Sequence, residues 1–167
     1  MITAERYHDF SYGHRVCGHE SKCAHLHGHN GRVTFVCEPE QELDKVGRVL
    51  DFSAMKASLC MWLERNWDHK FLAWKHDDVM RAIYRSVGNN ISGVGMVEVL
   101  SEVDSSIVWV DFNPTAENMA HYLLHRIGPK QLHGTGVRLV KVVVEETRKC
   151  SATAALPSNW RTADDGK

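Results

Sequence analysis

Net charge is nearly absent from this chain: 20 Lys and Arg side chains stand against 21 Asp and Glu, leaving a formal charge of -1. That balance gives no global attraction for nucleic acid or an acidic membrane surface, so an anionic substrate has to be captured locally. Long apolar runs are missing too. Met1 to Arg6 carries no hydrophobic leader, and no later stretch approaches the roughly 18 apolar residues of a membrane span, so a cytoplasmic location without membrane contact is the expectation. The cysteines lack the spacing of a disulfide framework. Cys17, Cys23, Cys37, Cys60 and Cys150 form an odd set, which reads as reduced thiols. No internal repeat is evident, and 167 residues with 43% hydrophobic content read as one globular domain, 1–167.

Histidine is what the chain has in excess. Six of its eleven histidines, His8, His14, His19, His25, His27 and His29, fall in the first thirty residues. In an extended strand, residues two apart share a face, so His27 and His29 of the His-Gly-His run can present two imidazoles to one cation while Gly28 faces away. His14 supplies a third. Three neutral imidazoles with an open position are the donor set of a catalytic zinc site, which makes Zn2+ the expected cofactor.

Hydrophobic patterning places these residues on elements. Residues 32–38, rich in β-branched and aromatic side chains, read as a strand continuing out of the histidine pair, with Glu5 to Tyr12 as its hairpin partner. Asp51-Phe52-Ser53 supplies a cap ahead of Met55, Leu59, Trp62 and Leu63, predicting a helix that fades near Asn66. Ile107 to Phe112 reads as a strand. Asn113-Pro114-Thr115 caps a second helix whose stripe is Ala116, Met119, Ala120, Leu123, Leu124 and Ile127, ended by Gly128-Pro129. Arg138 to Glu146 reads as a last strand with Val140, Val142, Val144 and Glu146 on one face. The pattern predicts an α+β domain with two helices covering one face of an antiparallel sheet. Residues 75–104 are read as an insertion or lid with a short helix near Val79 to Val87, and residues 151–167 as a C-terminal extension that wraps the surface or is mobile.

Several residues carry more than one chemical reading. Cys23, four before His27 and next to Lys22, is an activated thiol poised for proton transfer, a fourth metal ligand, or a buried side chain. Asp68 and His69 are a proton-relay pair or a helix-end cap beside a surface histidine, and Asp68 can hold His69 only if the backbone turns there. Glu146 is a solvated acid or a carboxylate that accepts two donors from a planar guanidine-like ring edge.

Taken together, Phe10 to His14, Cys23-x-x-x-His27-Gly28-His29, Val49-Leu50-Asp51-Phe52, Asp68-His69, Asn113-Pro114-Thr115-Ala116-Glu117-Asn118 and Glu146-Thr147 resemble the 6-pyruvoyltetrahydropterin synthase and 6-carboxytetrahydropterin synthase family. The resemblance covers most of residues 1–150. It implies the tunnelling fold (T-fold), in which subunit sheets join into a β-barrel, with active sites at subunit contacts and commonly a homohexamer. By the same resemblance His14, His27 and His29 hold Zn2+, Cys23 is the base, and Asp68 with His69 completes proton transfer. Glu146 anchors a pterin ring, with Thr115 and Glu117 as further substrate-binding candidates at the helix start. Three residues separate the cysteine from the His-Gly-His, as in the 6-carboxy branch. The implied reaction turns 7,8-dihydroneopterin triphosphate into 6-carboxy-5,6,7,8-tetrahydropterin, acetaldehyde and triphosphate, an early step toward queuosine and related 7-deazaguanines. A 6-pyruvoyl synthase is the near alternative, and a GTP cyclohydrolase, whose zinc uses cysteine more heavily, a distant one. A non-catalytic zinc-stabilised binding module is the alternative outside enzymes. Tyr12-Gly13-His14, in place of a small-residue pair before the first histidine, and the long segment after His69 depart from the family pattern.

Overall fold

The computed structural model describes residues 2–90 and 96–157. Its strands are β1 (Ala4–His14), β2 (His27–Pro39), β3 (Lys70–Trp74), β4 (Ile107–Val110), β5 (Val137–Thr147) and β6 (Cys150–Ala155). They form one six-stranded sheet in the order β4-β3-β1-β2-β5-β6. Helix α1 spans residues 52–66 and α4 residues 116–131, each with an internal π-helical turn, at Lys56–Cys60 and Leu123–Ile127. Between β3 and β4 lie α2 (Asp78–Asn90) and α3 (Met96–Ser106). No helix of the described residues is long and apolar enough to cross a membrane.

The expected hairpin is the spine of the fold. β1 and β2 pair antiparallel from Ala4↔Cys37 to His14↔His27, so the two strands begin and end in register. Strict alternation then sends Phe10, Tyr12 and His14 to the same face as Val33, Phe35 and Cys37, and all six are buried there. Both expected helices cover that face. Asp51 accepts from the Ser53 amide to start α1, whose Met55, Leu59 and Leu63 are no more than 1% exposed. Thr115 caps α4 through the Asn118 amide, and Met119, Ala120, Leu123 and Leu124 pack into the same core. Burying each such large side chain contributes about 1.5–3 kcal/mol. Gly128 lets α4 settle on β5: a Cβ there would lie 2.7 Å from the Leu139 side chain.

Three expectations are corrected. The sheet is mixed rather than antiparallel, because β3 runs parallel to β1 through Tyr12↔Lys70 to His14↔Leu72 and parallel to β4 through Phe71↔Ile107 to Trp74↔Val110. α2 and α3 are the crossover between those parallel partners, a connection that parallel strands require. Residues 150–155 are not a loose extension but strand β6, paired antiparallel with β5; the rest of the expected extension from residue 158 onward lies outside the described residues, as do residues 91–95 of the expected insertion.

Candidate metal centre and its cleft

The end of the hairpin brings the three histidines together. His14 and His27 are direct cross-strand partners, and His29 is two residues along on the same face. Their ligand atoms all lie within 4.8 Å of one another, the group of His, Cys, Asp and Glu side chains that can hold a metal ion among the described residues. Nε2 of His14 is 3.1 Å from Nε2 of His27.

Hydrogen bonds at the far side of two rings fix which nitrogens are free. His14 Nδ1 lies 2.6 Å from the Pro114 carbonyl oxygen, and His27 Nδ1 lies 2.8 Å from that of His25. A carbonyl only accepts, so each Nδ1 carries the proton and each Nε2 of the neutral ring is a lone pair. Two lone pairs facing each other at 3.1 Å repel unless a cation sits between them. Nε2 of His29 is buried and has no hydrogen-bond partner. Burial, with its two imidazole neighbours adding to the effect, lowers the His14 pKa to about 4, and burial lowers that of His29 as well. Neutral rings, oriented lone pairs and a carbonyl behind the ligand are the requirements of imidazole ligation, and the residues present fit a divalent ion.

Glu146 approaches this cluster from β5. Its Oε1 is 3.8 Å from His14 Nε2 and accepts from the Tyr12 hydroxyl at 3.4 Å. Burial and the Glu146 charge push the Tyr12 phenol well above its ordinary value, so it stays a donor. Glu146 also lines a cleft with His19, Cys23, Thr115, Glu117 and Cys150. The structure thus brings four of the proposed site residues to one cavity. Cys23, in the short 3₁₀ turn Lys22–Ala24, is not in the ligand cluster.

Asp68 and His69 lie elsewhere on the chain. His69 has φ of 55°, the backbone turn that the pair needs, and its Nδ1 donates to Asp68 Oδ2 at 2.8 Å. Asp68 Oδ1 also accepts from the Ser11 amide at 2.7 Å. Although burial opposes its charge, the Ser11 amide and His69 hold the Asp68 carboxyl below the usual carboxylate range. The pair borders clefts lined by Ser11, Asn30 and Lys70 or Arg32, not the cleft of Cys23. His69 is 81% exposed with Nε2 outermost from the Asp68 bond.

Sequence reasoning missed the groups that orient the ligands. Asn113 exchanges two hydrogen bonds with the backbone of Cys17, at 2.9 Å from the Cys17 amide and 2.8 Å to its carbonyl. Asn113-Pro114 therefore both starts α4 and ties down the loop after His14. A backbone carbonyl such as that of Pro114 leaves no mark in a sequence.

The model of the family described as 6-pyruvoyl tetrahydropterin synthase matches residues 3–156. The chain belongs to this family. Its similar relatives include proteins named 6-carboxy-5,6,7,8-tetrahydropterin synthase from Rickettsia felis, 31% identical over 150 residues covering 90% of this chain and 97% of the relative, and from Haemophilus influenzae, 27% identical over 144 residues covering 83% and 92%. Among solved structures, an uncharacterized protein from Wolinella succinogenes matches with a TM-score of 0.78 and 24% identity over 93% of this chain and 98% of that one. The 6-pyruvoyl tetrahydropterin synthase of Caenorhabditis elegans matches with a TM-score of 0.58 and 21% identity over 93% and 96%. The synthase family thus accounts for the order of the motifs, and these structures share the fold.

Proposed function

We propose that this protein is a zinc-dependent 6-carboxy-5,6,7,8-tetrahydropterin synthase, a lyase that converts 7,8-dihydroneopterin triphosphate and water to 6-carboxytetrahydropterin, acetaldehyde and triphosphate. The observation that carries this reading is the cluster of three imidazoles, His14, His27 and His29, beside a cleft lined by both the free thiol of Cys23 and the carboxylate of Glu146. Family membership and the names of its similar relatives support the pterin substrate and the 6-carboxy product.

His14, His27 and His29 hold Zn2+, which when bound supplies a Lewis acid that polarises substrate oxygen and eases loss of a proton from the neighbouring carbon. Cys23, outside the ligand set, takes that proton as its thiolate. Glu146 accepts two donors from the pterin ring edge, and the Tyr12 hydroxyl fixes the carboxylate for that task. Thr115 and Glu117 border the same cleft and contact substrate. His69, with Nδ1 committed to Asp68, keeps Nε2 as proton acceptor. Because that pair borders other clefts, it serves the Cys23 of a neighbouring subunit, which makes the active unit an oligomer. Residues 4–11 of β1 pair with β2 on one side and the outer side of β6 has no strand partner among the described residues, so these two edges can join to close a barrel of copies, commonly a hexamer. We place the activity in the cytoplasm, in the formation of 7-deazaguanines such as queuosine.

Incubating metal-loaded protein with 7,8-dihydroneopterin triphosphate and identifying the products tests this function. Acetaldehyde with the 6-carboxy pterin is expected. Triphosphate release without acetaldehyde marks the pyruvoyl reaction, and absence of any product with metal retained marks a zinc-stabilised binding module.

A further inference from the structure

The crossover after β3 reaches back to the turn that carries Cys23. Arg15, the residue after the first metal ligand, donates through Nε to the Ala24 carbonyl at 2.8 Å and through Nη1 to both carboxylate oxygens of Asp77 at 2.5 Å. Asp77 is 1% exposed, and the Arg15 side chain 12%. On its other side the same carboxylate accepts the Val79 amide at 3.0 Å and the Met80 amide at 3.4 Å, the first turn of α2. The Asp77 amide in turn donates to Trp74 at the end of β3. One buried carboxylate thus caps α2 and grips a guanidinium whose remaining arm holds the backbone next to Cys23.

A buried ion pair is weak evidence for stability, because desolvation offsets its attraction and an apolar pair of similar volume often serves as well. What a planar, multiply bonded guanidinium provides is direction. The turn Lys22–Ala24 has few other ties. Val16 donates to the Cys23 carbonyl at 2.8 Å, and two bonds within the turn run from Ala24 to Ser21 and from His25 to Lys22. No side chain of the turn is buried.

We propose that Asp77 and Arg15 are positioning residues for Cys23, so that the segment between β3 and β4 has a role in setting the reactive thiol. This rests on the reading of Cys23 as the base. Without the clamp the turn loosens, the thiol becomes more accessible, and its placement over the substrate is lost.

The test uses the metal-loaded full chain, with Asp77→Asn, Arg15→Gln and the double variant. Asparagine retains an oxygen to cap α2, and glutamine retains a donor for the Ala24 carbonyl, so both are chosen to fold. Iodoacetamide alkylation of Cys23, followed by peptide mass spectrometry, is the readout that needs no substrate. It is expected to speed up about fivefold in either single variant, with kcat falling about tenfold, KM changing less than twofold and bound metal unchanged. The double variant is expected to match the singles, as for two residues acting through one contact. Lys75→Met, which breaks the exposed pair between the start of the same segment and Asp111 just past β4, is expected to leave alkylation at the wild-type rate. A Cys23 alkylation rate unchanged in both single variants overturns the proposal, as does a loss of melting temperature or metal alone. If wild-type protein yields no pterin product, the proposed function fails while the alkylation rates still decide whether the clamp positions Cys23.

Discussion

His14 Nδ1 and the Pro114 carbonyl oxygen meet at 2.6 Å across 100 residues of sequence. The bond joins the end of β1 to the start of α4 and turns the His14 Nε2 lone pair toward His27. It makes the candidate metal centre a product of the packed core rather than of the His-Gly-His run alone.

Removing any of the three imidazoles should therefore cost the metal. His27→Ala, measured by bound metal per chain after dialysis, is expected to bring occupancy near zero. Retained stoichiometric metal would contradict the ligand assignment.

The glycine between His27 and His29 matters for a different reason. A Cβ on Gly28 would sit 2.9 Å from the Tyr12 carbonyl oxygen on the paired strand. Gly28→Ala should push β1 and β2 apart where His14 faces His27 and weaken metal binding roughly tenfold, as outer-shell changes do. Isothermal titration with Zn2+ measures this; wild-type affinity would show that the strands yield freely.

Much of this centre was legible in the sequence, and the reasons for the rest are physical. β-Branched and aromatic enrichment exposed β2 and, through it, its hairpin partner β1, alternation exposed β5, and apolar stripes exposed α1 and α4, because each helix buries a single face against one core. β3 escaped notice because Lys70–Trp74 follows the Asp68-His69 pair directly and is only five residues long. β6 reads Cys-Ser-Ala-Thr-Ala-Ala, small side chains with little strand signal, and its place comes from pairing with β5. The parallel crossover followed from neither, since partner choice is a tertiary fact. The grouping of His14, His27 and His29 and the cleft holding Cys23 with Glu146 were readable from motif order, whereas the separation of Asp68-His69 from that cleft needed the fold.

Stability of metal-free protein should fall with acid in a definite window. His14 titrates at about 4 when folded, below the ordinary 6.5, and His29 shifts in the same direction. The unfolded chain then binds more protons between these values. The stability associated with neutral His14 is fully present above about 6.5 and is lost as pH falls toward 4, on the order of 3 kcal/mol. Urea unfolding of chelator-treated protein from pH 7.5 to 4.5 checks this, with His14→Gln expected to flatten the slope.

Glu146→Gln should raise KM for the pterin by roughly 10- to 100-fold, the worth of a hydrogen bond to a charged group. Tyr12→Phe, which removes only the 3.4 Å bond to Glu146, should raise it severalfold at most. Steady-state kinetics decide the order, and equal effects would place Tyr12 in direct contact with substrate.

Cys23→Ala should retain metal and fold and lose turnover by roughly 100-fold or more, the usual scale of a missing general base. Metal content and single-turnover rates of the same preparation separate a base from a ligand.

The most direct measurement is X-ray absorption at the zinc edge of the reconstituted protein. Three imidazole nitrogens at about 2.0 Å and no sulfur are expected. A zinc–sulfur distance of about 2.3 Å that vanishes in Cys23→Ala would put that thiol on the metal and contradict its role as the base.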